Sequence, residues 1–131
     1  MATEILINDG GAPARILPYT AAEAIVAGDA CTIDANGELQ KADSANGSGQ
    51  GFAYAGIALT NAADGDIASL ITGVGVVLNI NCADLAAGVA LMMGTTEGQL
   101  LAATQATTDP KTQAVTLENN AAAGLTKCQT L

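Results

Sequence analysis

The dipeptide Asn36-Gly37 lies between two short runs in which apolar and polar residues alternate. Alternation with a period of two is typical of a β-strand that buries one face. Asn-Gly readily adopts the positive φ angles of a type I′ turn, which joins two antiparallel strands through two residues. The run from Cys31 to Ile33 and the run from Leu39 to Lys41 are therefore predicted to pair as a tight β-hairpin.

Further strands are predicted after this hairpin. Alternating runs cover 53–60 and 66–72, with a turn at Asp64-Gly65-Asp66 between them, and another apolar run covers 74–80. Short strands separated by turn residues are typical of an all-β sandwich or barrel. The residues expected in its interior are Phe52, Tyr54, Ile57, Leu59, Ile67, Leu70, Val76 and Leu78.

Two segments are predicted to be short helices. Residues 19–25 could form one helical turn, and residues 82–87 could form a short helix that Asn81 caps and Gly88 ends. The fold class expected from the sequence is thus mainly β, with one or two short helices.

Much of the strand pattern occurs twice. Cys31 aligns with Leu91 and Leu39 aligns with Leu100, with one extra residue in the second turn. The two pseudo-repeats extend over about 25–72 and 85–131. Neither copy is long enough to hold a core comfortably alone. Together they are predicted to close over one interior, as a compact β sandwich or barrel within a single domain at 21–131.

Residues 1–20 are predicted to be an extended arm or an edge strand. Pro13 and Pro18 lack the N–H group that a central strand donates to its neighbours. Two alternatives remain open, a terminal strand that caps its own sheet and an arm that lies on a partner. The residues of this segment that would make a partner contact are Ile5, Leu6, Ile7, Arg15, Ile16 and Leu17.

The composition predicts a thin core and disfavours anionic partners. Half of the residues are apolar, yet only Tyr19, Phe52 and Tyr54 are aromatic, and small side chains bury little area each. We therefore expect contacts between subunits to supply part of the stability. The net charge of −9 disfavours binding to nucleic acid and to anionic membrane surfaces.

No set of residues in the sequence is typical of a catalytic or cofactor site. The chain has no histidine, and its three cysteines are far apart, which favours free thiols over a disulfide framework or a zinc site. Asp64 and Asp66 could hold a divalent cation, but Asp-Gly-Asp between strands is more often only a turn. We expect no catalytic residue, no metal and no cofactor, and a protein that is not an enzyme.

Five motifs between Ile25 and Leu78 consist of turns and short apolar strands. They are Ala27-Gly28-Asp29, Gly37-Glu38-Leu39, Gly56-Ile57-Ala58, Ile67 to Ile71 and Gly75-Val76-Val77. With these motifs the segment resembles the small head-decoration, or cement, proteins of tailed bacteriophages, including the lambda-type head decoration proteins. The opening residues 4–20 are also similar to those of phage head proteins.

This resemblance implies a β-tulip-like fold and a structural function. It implies a homotrimer at three-fold or quasi-three-fold positions on the exterior of an expanded head, made in the host cytoplasm, that binds the major capsid protein and stabilises the shell. The alternative is a small carrier or ligand-binding β domain, since biotinyl and lipoyl carriers also contain two hairpin repeats. Carriers need a lysine at a hairpin tip, whereas Lys41 lies in a predicted strand.

Overall fold

The computed structural model describes residues 5–7, 11–42, 54–83, 86–93, 97–102, 114–119 and 122–130. These residues form β-strands and no helix, which confirms the prediction of a mainly β chain. No helix in this part of the chain has the length and apolarity needed to cross a membrane. The strands are β1 (Arg15–Thr20), β2 (Ala30–Ile33), β3 (Leu39–Lys41), β4 (Tyr54–Ala58), β5 (Ile67–Thr72), β6 (Val77–Cys82), β7 (Ala90–Met93), β8 (Leu100–Ala102), β9 (Ala114–Thr116) and β10 (Gly124–Thr130).

The helical turn predicted at 19–25 is wrong. β1 continues through Thr20, and Ala21 and Ile25 then form single β-bridges to other segments. The N–H groups of Ala21 and Ile25 donate to the carbonyls of Asp66 and Ala62, both at 2.8 Å. Pairing with residues distant in sequence therefore takes the donors that a helix would have used.

The helix predicted at 82–87 is also wrong over its described residues. Cys82 is the last residue of β6, where its backbone pairs with Gly124 of β10 and with Leu100 of β8. Residues 84–85 lie outside the described part of the chain.

The ten strands form two five-stranded units with the same strand order. The first unit has the order β1-β5-β4-β2-β3. The second unit follows the equivalent order β6-β10-β9-β7-β8, and β6 also pairs with β8, which closes this sheet into a barrel. The corresponding contact in the first unit is a single parallel bridge between Ala21 and Leu39.

The two units also share their register. Ile57 faces Ile71 across β4 and β5, and the equivalent pair across β9 and β10 is Val115 with Gln129. The predicted pseudo-repeats cover four strands of each unit. The fifth strand, β1 or β6, comes before the repeat in each case, and these two strands share little sequence.

The hairpin of β2 and β3 has the predicted strand pairing but a longer turn than predicted. Ile33 faces Leu39, whereas Gly37 N donates to Asp34 O at 3.1 Å and Asp34 N donates to Glu38 O at 2.8 Å. The Asp34 carboxylate accepts the N–H groups of Asn36 and Glu38 at 2.8 and 2.9 Å. This Asx turn favours a three-residue loop over the two-residue type I′ turn.

The buried apolar side chains form two clusters. The smaller cluster lies within the first unit and contains Ala21, Ile25, Cys31, Leu39, Ala58, Ala68 and Leu70. The larger cluster takes residues from both units, including Ile57, Ile71, Val76, Leu78, Ile80, Cys82, Leu91, Leu100 and Cys128. The two units therefore share an interior.

Most of the predicted core residues that can be assessed are buried. Ile57, Leu70, Val76 and Leu78 are fully buried, and Leu59 packs partly buried against the larger cluster. Ile67 was expected in the core and is 64% exposed, because it is the first residue of β5 and lies beyond the part of its face that is covered at the buried Ile71. Phe52 and the Tyr54 side chain lie outside the described part of the structure.

Backbone and side-chain hydrogen bonds join the two units at a contact that we call the junction. Ala30 N donates to Gly98 O at 2.8 Å, and Gly98 N donates to Ala42 O at 2.9 Å. Asn81 N donates to Gly28 O at 2.8 Å. The β7–β8 hairpin and β6 of the second unit are thereby bonded to the first unit.

Candidate functional site

The first part of the predicted arm lies along the chain's own β6. Ile7 N donates to Val77 O at 3.1 Å, Asn79 N donates to Ile5 O at 2.7 Å, and Leu6 forms a β-bridge with Leu78. Ile5 is buried in the larger core cluster, whereas Leu6 and Ile7 are half-buried. These three residues thus contribute to the chain's own fold.

The second part of the predicted arm is β1, at one end of the strand order of the first unit. β1 pairs along all six residues with β5, and its other side adjoins no further strand among those described. At such an edge only one side of the strand needs N–H donors, so Pro18 can lie there. Arg15 is exposed, Ile16 is 43% exposed and Leu17 is half-buried.

Several large apolar side chains are exposed near this edge. Ile67 pairs with Thr20 at one end of the β1–β5 ladder and is 64% exposed. Val74 follows the other end of β5 and is 72% exposed. We call Ile16, Ile67 and Val74, together with the free side of β1, the β1 edge. The role of residues 5–7 and 15–17 in binding a capsid stays a prediction.

Asp29 is the buried charged residue of the junction. Its carboxylate accepts the N–H of Val26 at 3.1 Å and the side-chain amide of Asn81 at 3.2 Å. Burial raises the pKa of Asp29 above its usual value, and these hydrogen bonds and the charge of Lys41 offset part of that shift. The Cys31 thiol also donates to the backbone carbonyl of Asp29 at 3.4 Å. The carboxylate contacts link Val26 of the first unit to Asn81 of the second, which favours a structural role.

The three cysteines are free and fully buried. Burial, and then the neighbouring Asp29 carboxylate, raises the pKa of the Cys31 thiol to about 12. The sulfur atoms of Cys82 and Cys128 lie 3.7 Å apart, and this contact together with burial raises the pKa of the Cys128 thiol. The same contact lowers the pKa of the Cys82 thiol, against the effect of its burial. Because all three side chains are fully buried, these residues pack as small apolar side chains.

Asp64 and Asp66 are both exposed and flank a turn. Gly65 N donates to Ala21 O at 2.8 Å, and Asp66 N donates to Ala63 O at 3.0 Å. The described residues contain no group of three or more acidic or cysteine side chains placed to hold a metal ion.

Two buried polar atoms lack a hydrogen-bond partner among the described residues. They are Thr32 Oγ1 and Gln40 Nε2, and the two residues face each other across β2 and β3. An unpaired buried polar atom costs about 1–3 kcal/mol. Sequence reasoning did not identify this pair, because nothing in the local sequence indicates that these polar side chains are buried.

Comparisons with known proteins add no family assignment. No protein-family model matches the sequence, and a search of curated proteins found no significant match.

Proposed function

We propose that this protein is a capsid decoration protein that binds the exterior of an expanded tailed-phage head and stabilises it. In this proposal it is a homotrimer of β-tulip-like subunits, located at three-fold or quasi-three-fold positions, and its partner is the major capsid protein. The protein would be made in the host cytoplasm and would act in the virion without catalysis.

The observation that carries the proposal is the β1 edge. A strand edge offers unpaired backbone groups in a row, and a segment of a partner can add to it as a further strand. Ile16 and Ile67 offer exposed apolar side chains beside this edge. Arg15 adds one of the four basic side chains in a strongly acidic chain. Backbone pairing with a few apolar contacts suits a capsid segment.

The composition of the core also supports a function based on assembly. Its largest fully buried side chains are those of Ile, Leu and Val. Among the described residues, no aromatic side chain is fully buried. Burying apolar area contributes about 25 cal/mol per Å², so contacts with a shell would add stability that the subunit core provides sparingly. Many copies on one shell would further strengthen weak individual contacts through avidity.

Binding to heads is the direct test. Purified protein is mixed with undecorated, expanded heads of its phage, and the heads are pelleted and then heated. We expect the protein to sediment with the heads and to raise their melting temperature. Absence from the pellet at saturating concentration would refute the proposal.

A matched pair of variants tests the surface. Ile16→Lys places a charge on the β1 edge, and Leu117→Lys places the same charge on the second unit at nearly equal exposure, 43% against 42%. We expect Ile16→Lys to weaken sedimentation with heads and Leu117→Lys to leave it unchanged. Equal effects would refute the assignment of the β1 edge. Deleting residues 1–18 is a poorer test, because Ile5 and β1 pack on the chain's own strands.

A small carrier or ligand-binding β domain is the second candidate. The unpaired buried atoms of Thr32 and Gln40 favour a polar ligand near β2 and β3. The described lysines, Lys41 and Lys127, lie within strands and not at a hairpin tip, which disfavours a carrier. A small molecule that copurifies in native mass spectrometry, or an acyl or biotinyl adduct on a lysine, would favour this candidate.

A further inference from the structure

The junction joins two surfaces whose equivalents elsewhere in the chain are exposed. On the first unit, Gly28, Asp29 and Ala30 are buried, whereas the equivalent Gly88 is exposed and Val89 and Ala90 are only half-buried. On the second unit, Gly98 in the β7–β8 hairpin is buried, whereas the equivalent Gly37 in the β2–β3 hairpin is exposed. Each unit therefore has one edge and one hairpin of this kind. Within the chain, the 28–30 edge of the first unit binds the Gly98 hairpin of the second unit. The 87–90 edge and the 34–38 hairpin are not joined to each other.

The equivalence of these positions follows from the shared register. Ala30 pairs with Ile57 in the first unit, and Ala90 pairs with Val115 at the same place in the second. Gly37 comes two residues before Leu39, and Gly98 comes two residues before Leu100. Leu39 and Leu100 are the partners of the last residues of β2 and β7 in the matching hairpins.

The two glycine hairpins differ in their surroundings. A Cβ atom added to Gly98 would lie 2.8 Å from Asp29 Cγ, so the hairpin fits closely against the first unit. A Cβ atom added to Gly37 would meet no atom of the described residues within 4 Å, and the same is true of Gly88 on the 87–90 edge. The described residues therefore pack closely at the junction and leave space at both equivalent surfaces, the 34–38 hairpin and the 87–90 edge.

We propose that a second copy of this chain seats its 34–38 hairpin on the 87–90 edge of the first and so repeats the junction between chains. The contact is head-to-tail, because one surface of each chain binds a different surface of the next. Repetition gives a ring if the rotation closes. The proposed function already includes a homotrimer, and this inference adds which two surfaces join its subunits. It is argued only from internal contacts of the chain, so its failure in solution would leave binding to heads unaffected.

The chemistry of the open edge suits another copy of this acidic chain. Val89 stands where the first unit has Asp29, so a seated Gly37 would meet an apolar side chain and no buried carboxylate. Residues 87–90 carry no charge, and the Asp34 carboxylate of the incoming hairpin is already bonded within that hairpin. The two acidic side chains of the incoming hairpin, Asp34 and Glu38, would therefore meet no like charge within residues 87–90, and the joining hydrogen bonds would come from the backbone.

Light scattering of the purified protein with charged variants is the first test. We expect a wild-type mass that is a multiple of the chain mass at micromolar concentration, and a monomer for Val89→Arg and for Gly37→Lys. Ala63→Arg, at another exposed position, and Gly65→Lys are the controls and should keep the wild-type mass. Gly65 shares the positive φ and the open space of Gly37, so it controls for backbone strain. A monomeric wild type, or an oligomer that neither Val89→Arg nor Gly37→Lys dissociates, would overturn the inference.

Cross-linking tests the head-to-tail geometry. At the junction, a Cβ on Gly98 would lie 3.2 Å from Asp29 Cβ, near the Cβ separation of about 3.5–4.5 Å found in disulfides. The chain with both Gly37→Cys and Val89→Cys, oxidised with diamide, should give a ladder of covalent oligomers on a non-reducing denaturing gel. The same chain with Gly65→Cys in place of Gly37→Cys should give none. A product that stops at the dimer indicates a two-fold contact and contradicts the inference, as does a lack of cross-links.

Discussion

Substitution of Gly56 by Ala tests the close approach of β4 and β5. A Cβ at position 56 would lie 2.3 Å from the carbonyl oxygen of Ile71 and 3.0 Å from Leu70 Cγ. An ordinary carbon–oxygen contact is about 3.3 Å, so the two strands would have to separate by about 1 Å. The pairing of β2 with β4 shifts register between Cys31 and Thr32, next to this glycine. The irregularity places Gly56 where a side chain cannot fit.

The expected loss of stability follows from these distances. Overpacking costs about 1–3 kcal/mol, and the upper end applies because backbone must move. Ala recovers about 0.5–1 kcal/mol relative to Gly in a strand, which leaves a net loss of about 2 kcal/mol. For a domain of this size that loss lowers the Tm by about 6–8 °C.

Urea and thermal unfolding monitored by circular dichroism measure this loss. Gly88→Ala is the control, because position 88 also has a glycine but a Cβ there would meet no atom of the described residues within 4 Å. The positive φ of Gly88, 79°, costs about 1–2 kcal/mol for a residue with a Cβ. Replacing Gly by Ala recovers about 0.5–1 kcal/mol of this cost, as at position 56. A Gly56→Ala variant as stable as the wild type, or more stable than Gly88→Ala, would refute the close approach of the two strands.

Three further predictions concern buried polar groups. Because burial raises the pKa of Asp29 above 3.8, its contribution to stability is fully present below that pH and is lost as pH rises through the folded-state pKa. Denaturation at several pH values should therefore show the free energy of unfolding of the wild type falling relative to that of Asp29→Asn as pH rises from 3 to 7, and a parallel pH dependence would contradict this. The three buried thiols should resist iodoacetamide at pH 8 in the native protein and react with it in urea, as measured by intact mass. Burial raises the pKa of Cys31 to about 12, so rapid labelling of Cys31 in the native protein would contradict its burial. Thr32→Val removes an unpaired hydroxyl at constant shape and should raise the free energy of unfolding by about 1 kcal/mol, whereas a loss of stability would show that the hydroxyl has a partner.

Local sequence accounts for the parts of the fold that depend on neighbouring residues. The pairing of β2 with β3 could be predicted because Asn36-Gly37 and the flanking alternation act within a few residues. The turn length could not be predicted from the dipeptide, because the Asp34 carboxylate selects a longer loop through two backbone hydrogen bonds. The helical turn at 19–25 failed because the partners of Ala21 and Ile25 lie far along the chain.

The candidate surfaces depend on packing that the sequence does not express locally. Gly37 and Gly98 occupy equivalent places in two aligned hairpins, yet one is exposed and the other is buried against Asp29. Only the relative position of the two units decides this difference. Ile67 was expected in the core for a related reason, since alternation places it on the same face as the buried Ile71 but does not show how far along the strand a neighbouring element covers that face.

Electron cryomicroscopy of expanded heads incubated with the purified protein tests the proposed function most directly. We predict additional density on the outer surface at three-fold or quasi-three-fold positions, large enough for three chains, with the β1 edge facing the major capsid protein. Heads that remain bare at a protein concentration well above the number of sites would contradict the proposal that this protein decorates a capsid.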